Sequence, residues 1–363
     1  MEMRSVLRSI AFFSLVLMSR LAYSQSSITL YGIIDTGVEY YNHAAGGGSF
    51  AGMPTLTGEV PSEWGLTGVE DLGGGTKAFF KLENGFAPGT GGFNYGGREF
   101  GRQADVGLQT AYGSLTLGRQ NNMSTYAVLN ADVIGPSIHS LYVFDNYFPN
   151  ARSDNAIGYM GKFAGVTVGA TYSFGRDAAG PGGPAATNCP GQVAGNFLAC
   201  KQYTGLIAYD SSRFGVAASY DRMRGNEGAS APLTSSAYAD SRSVVDGYFK
   251  LPSLKVGGGW IHRNLSAGAA SMVYNLYFFG LTYTPIALLA LDAQVDKYIQ
   301  SGVTSSTELV ARASYYLSRS TSVYSSVGYM INGRNGSASV AAGGTVETGA
   351  EQLGVMLGVR HTF

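Results

Sequence analysis

Charged side chains are scarce. Asp, Glu, Lys and Arg make up 13% of the 363 residues, about half the roughly 25% of a typical soluble protein. So few charges do not suit a body surrounded by water. The 24 basic and 24 acidic residues cancel, which excludes a nucleic-acid partner, because binding a phosphate backbone needs a basic stripe. Cysteine is nearly absent: Cys189 and Cys200 bracket "CPGQVAGNFLAC". In an oxidising compartment such a pair reads as a disulfide pinning a loop. The metal and redox alternatives are weaker, since no histidine is near and the spacing is wrong for CxxC. Neither G-x-S-x-G nor H-E-x-x-H occurs, and the four histidines are scattered at 43, 139, 262 and 361, so no hydrolase is expected. The Gly-x-Gly stretches precede no helix, and no cofactor or metal is expected either. After residue 24 no apolar run nears the ~20 residues of a membrane helix.

The first 24 residues are a different matter. Arg4 and Arg8 lead an apolar stretch from Ile10 to Met18, and the small residues Ala22 and Ser24 precede Gln25. This is the pattern of a secretory signal peptide, with Arg20 read as a tolerated charge near the cleavage point. The remaining 25–363 are expected to form one exported domain without a helical anchor.

That domain is rich in glycine (52), tyrosine (24) and phenylalanine (18), and it alternates. From Glu351 to Phe363, one parity carries Leu353, Val355, Leu357, Val359 and Phe363; the other is mostly polar or small. The period of two marks a strand, and fifteen similar segments precede it, from "SSITLYGIIDTGVEYYN" to "TSVYSSVGYMING". Sixteen is an even number, and the connections alternate in length. Tight turns such as Gly73 to Gly75, Tyr112 to Ser114 and Ser318 to Ser320 separate long Gly/Ser/Ala/Asn-rich stretches such as His43 to Pro61 and Asn335 to Gly349. Short turns at one rim and long loops at the other describe a meander through a bilayer. In lipid every backbone group must be paired, so only a closed barrel without edges is allowed. The last strand must therefore meet the first. In "LALDAQVDKYIQ", Leu289, Leu291 and Val295 share one parity, and Asp292, Gln294 and Asp296 the other. A charge on the lipid face costs up to roughly 2–4 kcal/mol at mid-membrane, so Asp292, Asp296, Glu308 and Arg312 are assigned to the lumen. A lumen enclosed by sixteen strands is expected to hold water.

Six stretches, in order along the chain, carry a specific likeness: "ITLYGIIDTGVEY", "GLTGVEDLGGGTKAFFKLENGF", "GRQADVGLQTAYGSLTLGRQ", "RSDNAIGY", "YYLSRSTSVYSSVGY" and "GVRHTF". Together they resemble the general porins of Gram-negative outer membranes. The resemblance implies an all-β, 16-stranded antiparallel transmembrane barrel with an inward-folded third loop, assembled as a homotrimer. It also implies a pore for ions and small hydrophilic solutes, with outer-membrane lipid and lipopolysaccharide as surroundings. The third loop, about Asn121 to Ala151, carries Val128, Leu129, Val133, Ile134, Leu141, Val143 and Phe144, too apolar for a segment in solvent. It must pack, either inside the barrel or on a neighbouring subunit.

On that loop Asp132 and Asp145 are the acidic candidates for the constriction; opposite, Arg102 in "GRQAD" and Arg152 in "RSDNAI" match the family's wall arginines. Glu63 and Thr67 stand where relatives commonly carry Arg and Lys, and Ile33 where some carry Lys, which thins the basic side. Acids facing bases across an aqueous opening create a transverse field that sorts ions by sign. With Glu63 in the wall, weak cation preference or near-neutrality is expected. Asp105 is a further departure: if Arg102 points into the lumen, parity turns Asp105 outward. Two other readings stay open. A barrel enzyme lacks an evident nucleophile and base. A substrate-specific channel or surface receptor could use Tyr126, Tyr142, Phe144, Tyr147 and Phe148 as an aromatic slide, if these rings do not simply pack the loop.

Overall fold

The computed structural model describes residues 27–177 and 186–363. The expected signal peptide lies outside the described residues, as does part of the long loop that carries the two cysteines. One continuous sheet contains seventeen antiparallel strands. They are β1 (Ser27–Asn42), β2 (Ser49–Gly52), β3 (Glu63–Gly73), β4 (Thr76–Gly85), β5 (Gln103–Thr110) and β6 (Gly113–Asn121). After the third long loop come β7 (Arg152–Phe163), β8 (Val166–Ser173), β9 (Gln202–Asp210), β10 (Phe214–Arg224), β11 (Ala239–Lys250) and β12 (Leu254–Ser266). The last five are β13 (Met272–Ile286), β14 (Leu289–Gln300), β15 (Thr304–Tyr316), β16 (Thr321–Asn332) and β17 (Gln352–Thr362). The four-residue β2 folds back on the upper end of β1. Without it, sixteen strands close the barrel.

Closure follows the lipid argument. β17 pairs with β1 from Ile33↔Thr362 to Tyr41↔Gly354, and the main chains of Gly32 and Phe363 exchange two hydrogen bonds of 3.0 Å. On its other edge β1 pairs with β3, from Ser27↔Val69 to Ile33↔Glu63. Gly37 faces Gly358 across the seam; a Cβ on Gly37 would stand 2.1 Å from the carbonyl oxygen of Leu357. Because that clash is with backbone, Gly37→Val is expected to spread β1 from β17 and to abolish the compact, heat-modifiable band of the folded protein on gels. An unchanged band would count against this account of the seam.

The alternation assigns the faces. In β14, Leu291 and Val295 are exposed to the bilayer side, whereas Asp292, Gln294 and Asp296 are buried in the interior. In β15, Leu309 and Tyr315 face out while Glu308 and Arg312 face in. One residue departs from expectation. Asp105 is buried and points inward beside Lys81, its cross-strand partner, with Val106 and Leu108 turned outward. The parity argument fails because Arg102 lies in a bend one residue before β5, outside the alternation, so both side chains reach the lumen.

The interior is also drier than sixteen strands alone imply. Inward positions Leu206, Val244, Ile261, Leu276 and Phe278 are apolar, and they pack against Met123, Ala127, Val128, Leu141 and Phe148 of the third loop. Part of the lumen is thus a true core, with each large buried side chain worth about 1.5–3 kcal/mol.

Candidate functional site

The third loop, residues 122–151, folds into the barrel and lies along the wall from β8 to β17. It begins with a helix, α1 (Met123–Val128), capped by Asn122, whose side-chain oxygen accepts from the amides of Ser124 and Thr125. The same Asn122 donates to Asp221 of β10 at 3.1 Å, and the hydroxyl of Tyr147, from the loop's far end, donates to that carboxylate too. The start and end of the loop therefore share one anchor. At its tip, Arg312 donates to the carbonyls of Ile134 (2.8 Å) and Val133 (3.3 Å) while held by Asp292 at 2.8 Å. Further on, the amide of Ile138 donates to Gly58 of the first loop, and its carbonyl accepts from Ala342 of the last. His139 sits in a slot between Gly328 and Gly354, its Nδ1 2.9 Å from the hydroxyl of Ser326. Finally Asp145 receives two bonds from Arg242, at 2.7 and 3.1 Å, and one from the hydroxyl of Tyr274.

These contacts place the two candidate loop acids. Both Asp132 and Asp145 are 5% exposed, pressed between loop and wall. Burial pushes the Asp132 carboxyl up from its usual value. Burial also works against the Asp145 carboxylate, but the guanidinium of Arg242 and then that of Arg263 outweigh it and hold its pKa at about 2. Asp145 is an anchor before it is a lining group. Of the apolar loop residues, Val128, Val133, Ile134 and Leu141 are buried, whereas Leu129 is 65% exposed, into the aqueous space. The aromatic residues pack: Tyr142, Tyr147 and Phe148 are buried, and Phe144 stacks on Tyr298 with centroids 5.3 Å apart.

Across the lumen, β1 and β3–β7 carry the other candidates, and here the structure gathers them. Arg102 pairs with Glu63 and, at 2.8 Å, with Glu83, and donates to the hydroxyl of Tyr95 at 3.1 Å. The guanidinium of Arg152 lies 5.1 Å from the centre of the same tyrosine ring. Lys81 adds a 3.0 Å bridge to Glu83, and Tyr31 donates to Glu83 at 2.7 Å. Near the outer end, the space between this group and the loop is lined by Tyr95, Pro136, Ser137, Tyr142 and Asn146, with Thr57 of the first loop. An inward loop pinned to one wall, facing a charged cluster on the other across an open passage, is the architecture of a diffusion pore.

A profile of Gram-negative porins matches residues 11–336. The chain belongs to that family. It is 28% identical to outer membrane porin protein 32 of Delftia acidovorans over 98% of this chain and 99% of that one. Among solved structures, the anion-selective porin from Comamonas acidovorans superposes with a TM-score of 0.77 at 24% identity, covering 93% of this chain and 100% of the other. OmpT of Vibrio cholerae in its trimer form superposes at 0.65 with 16% identity, over 93% and 99%. This porin is an outer-membrane channel for the passive diffusion of solutes.

Sequence reasoning missed part of the porin's charged cluster. Glu83 could have been found, because it shares the parity of Lys81 in β4. Tyr95 could not, because it comes from an irregular loop whose path no periodicity marks. Cys189 and Cys200 are joined, with Cα atoms 5.3 Å apart, in the loop between β8 and β9.

Proposed function

We propose that loop 122–151 sets the constriction of this porin, and that ions and small hydrophilic solutes cross between it and the wall carrying Glu63, Glu83, Arg102 and Arg152. The observation that carries the reading is one-sided anchoring: the long-range side-chain bonds that hold the loop come from Asp221, Arg242, Tyr274, Arg312 and Ser326 of β10, β11, β13, β15 and β16, away from the wall that carries Glu63, Glu83 and Arg102. Solutes select themselves by size and by the local field, with no chemical step, and the family resemblance supports a homotrimer embedded among outer-membrane lipids. The loop acids contribute at short range, through the field of Asp132 and through Asp145 fixing the loop.

Selectivity follows from the wall. Three bases, Lys81, Arg102 and Arg152, stand with three acids, Glu63, Glu83 and Asp105, and Arg102 is neutralised by two carboxylates. The similar porin from Comamonas acidovorans is anion-selective; this one is expected to be near neutral or weakly cation-selective, since acidic side chains favour cations and basic ones anions. Reversal potentials across a planar bilayer in a salt gradient test it. Glu63→Arg removes an acid and releases Arg102 from one partner, so the potential should move toward anions by several millivolts or more. A strongly anion-selective wild type, or a Glu63→Arg channel indistinguishable from it, overturns the reading.

A further inference from the structure

The second loop, residues 86–102, is rich in glycine: six fall between Gly89 and Gly101. Among them stands one tyrosine, and its backbone is left-handed. Tyr95 has φ 55° and ψ 40°, a region that suits glycine and that a bulky side chain occupies only at a cost. Such a conformation persists where the surroundings hold it. Here the returning half of the loop is bonded to the wall: Arg119 donates to the carbonyl of Gly101 at 2.8 Å, Asn84 donates to that of Glu99, and Arg98 pairs with Asp177 at 2.6 Å. The backbone also makes room for the side chain. A Cβ on Gly85 would lie 2.5 Å from the ring's Cε2, and one on Gly101 would lie 2.6 Å from the tyrosine's own Cβ.

Against that ring lies an uncompensated cation. Arg152 is 4% exposed, its Nε is buried with no acceptor, and it takes part in no salt bridge among the described residues. Its guanidinium donates to the carbonyl of Pro149 at 2.9 Å and sits 5.1 Å from the centre of the Tyr95 ring, a cation–π contact. The carboxylates of Glu63 and Glu83 are engaged by Arg102, which also donates to the Tyr95 hydroxyl at 3.1 Å. Tyr95 thus touches both wall arginines. It also lines the passage, with Pro136, Tyr142 and Asn146 of the third loop, so a permeant ion meets a phenol where the wall holds a guanidinium.

We propose, on the reading that solutes cross between loop 122–151 and this wall, that Tyr95 is a selectivity-determining residue of the pore. Its ring roofs Arg152, so that passing anions cannot pair with that guanidinium and the lone cation does not turn the channel toward anions. The second loop, through this one side chain, forms part of the constriction.

Planar-bilayer recordings in a salt gradient test the assignment. Tyr95→Ala should raise the single-channel conductance and move the reversal potential toward anions by several millivolts or more. Tyr95→Phe keeps the ring and should stay close to wild type. A double-mutant cycle decides: Arg152→Gln should move the potential toward cations far more in the Tyr95→Ala channel, where the guanidinium is uncovered, than in the wild-type channel. A ring that only props the loop would leave the two changes uncoupled. If Tyr95→Ala fails to give the heat-modifiable band of the folded barrel, Tyr95→Gly, which suits the left-handed backbone, takes its place in the cycle. The proposal is overturned if Arg152→Gln shifts the potential equally in both backgrounds, if Tyr95→Phe behaves like Tyr95→Ala, or if the folded Ala or Gly variant keeps the wild-type potential. Glu63→Arg separates this outcome from failure of the passage reading: if the roof alone is wrong, Glu63→Arg still moves the potential, whereas if ions do not cross along this wall, both substitutions are silent.

Discussion

Arg242→Met is expected to release the third loop at its C-terminal end, lowering the stability of the folded barrel and turning a quiet channel noisy. The substitution leaves Asp145 buried at 5% exposure with only neutral hydrogen-bond donors, chiefly Tyr274 and the amide of Tyr147. Stranding one member of a buried ion pair costs about 3–5 kcal/mol. Asp240 keeps Arg263, bonded at 2.7 Å, so the damage centres on the loop. Asp145→Leu alone should be comparably harmful, because it strands Arg242 beside one remaining carboxylate. The double variant removes both charges and should be more stable than either single change. Thermal unfolding by loss of the heat-modifiable band gives the stability, and single-channel recordings give the noise. Two single variants within about 1 kcal/mol of wild type and as quiet would mean that the loop does not depend on this pair.

The second large effect is with pH. His139 is completely buried, its Nε2 has no partner, and it sits with Val340 against Gly328 and Gly354. Burial lowers its pKa to about 4 from an ordinary 6.5. The folded protein thus holds the ring neutral while the unfolded chain would protonate it, so between pH 6.5 and 4 the unfolded state binds more protons. Stability contributed by the neutral ring is fully present above pH 6.5 and is lost as pH falls through that window, by roughly 3 kcal/mol in all. The loop's middle, seated by this histidine, should loosen first. His139→Gln, which cannot titrate there, should flatten the pH dependence of both unfolding midpoint and conductance between pH 4 and 6.5. Carboxylates such as Asp132 titrate in either protein, so the difference between the two isolates the histidine. Parallel pH profiles would remove His139 from the account.

Why the barrel was legible and its constriction only partly so has a physical basis. Lipid on one side and charge on the other force a period of two on every strand, and Asp292, Asp296, Glu308 and Arg312 had nowhere else to go. The same rule failed for Asp105, where a bend at Gly101 and Arg102 resets the parity. For the third loop, Val128, Ile134 and Leu141 announced that it must pack, but not which side chains would hold it. Asp145 read as a pore acid because it is acidic and on the loop; its role depends on Arg242, almost a hundred residues away, which no local pattern connects to it. Leu129 shows the converse error, an apolar residue counted among the packed ones that stands in the open. Three-dimensional ion pairs are invisible to periodicity.

Because the inward segment is tied down at its start, tip, middle and end, the proposed constriction is expected to be a fixed rim rather than a swinging door. A fixed rim implies that the cut-off in molecular size should be a property of the folded chain alone.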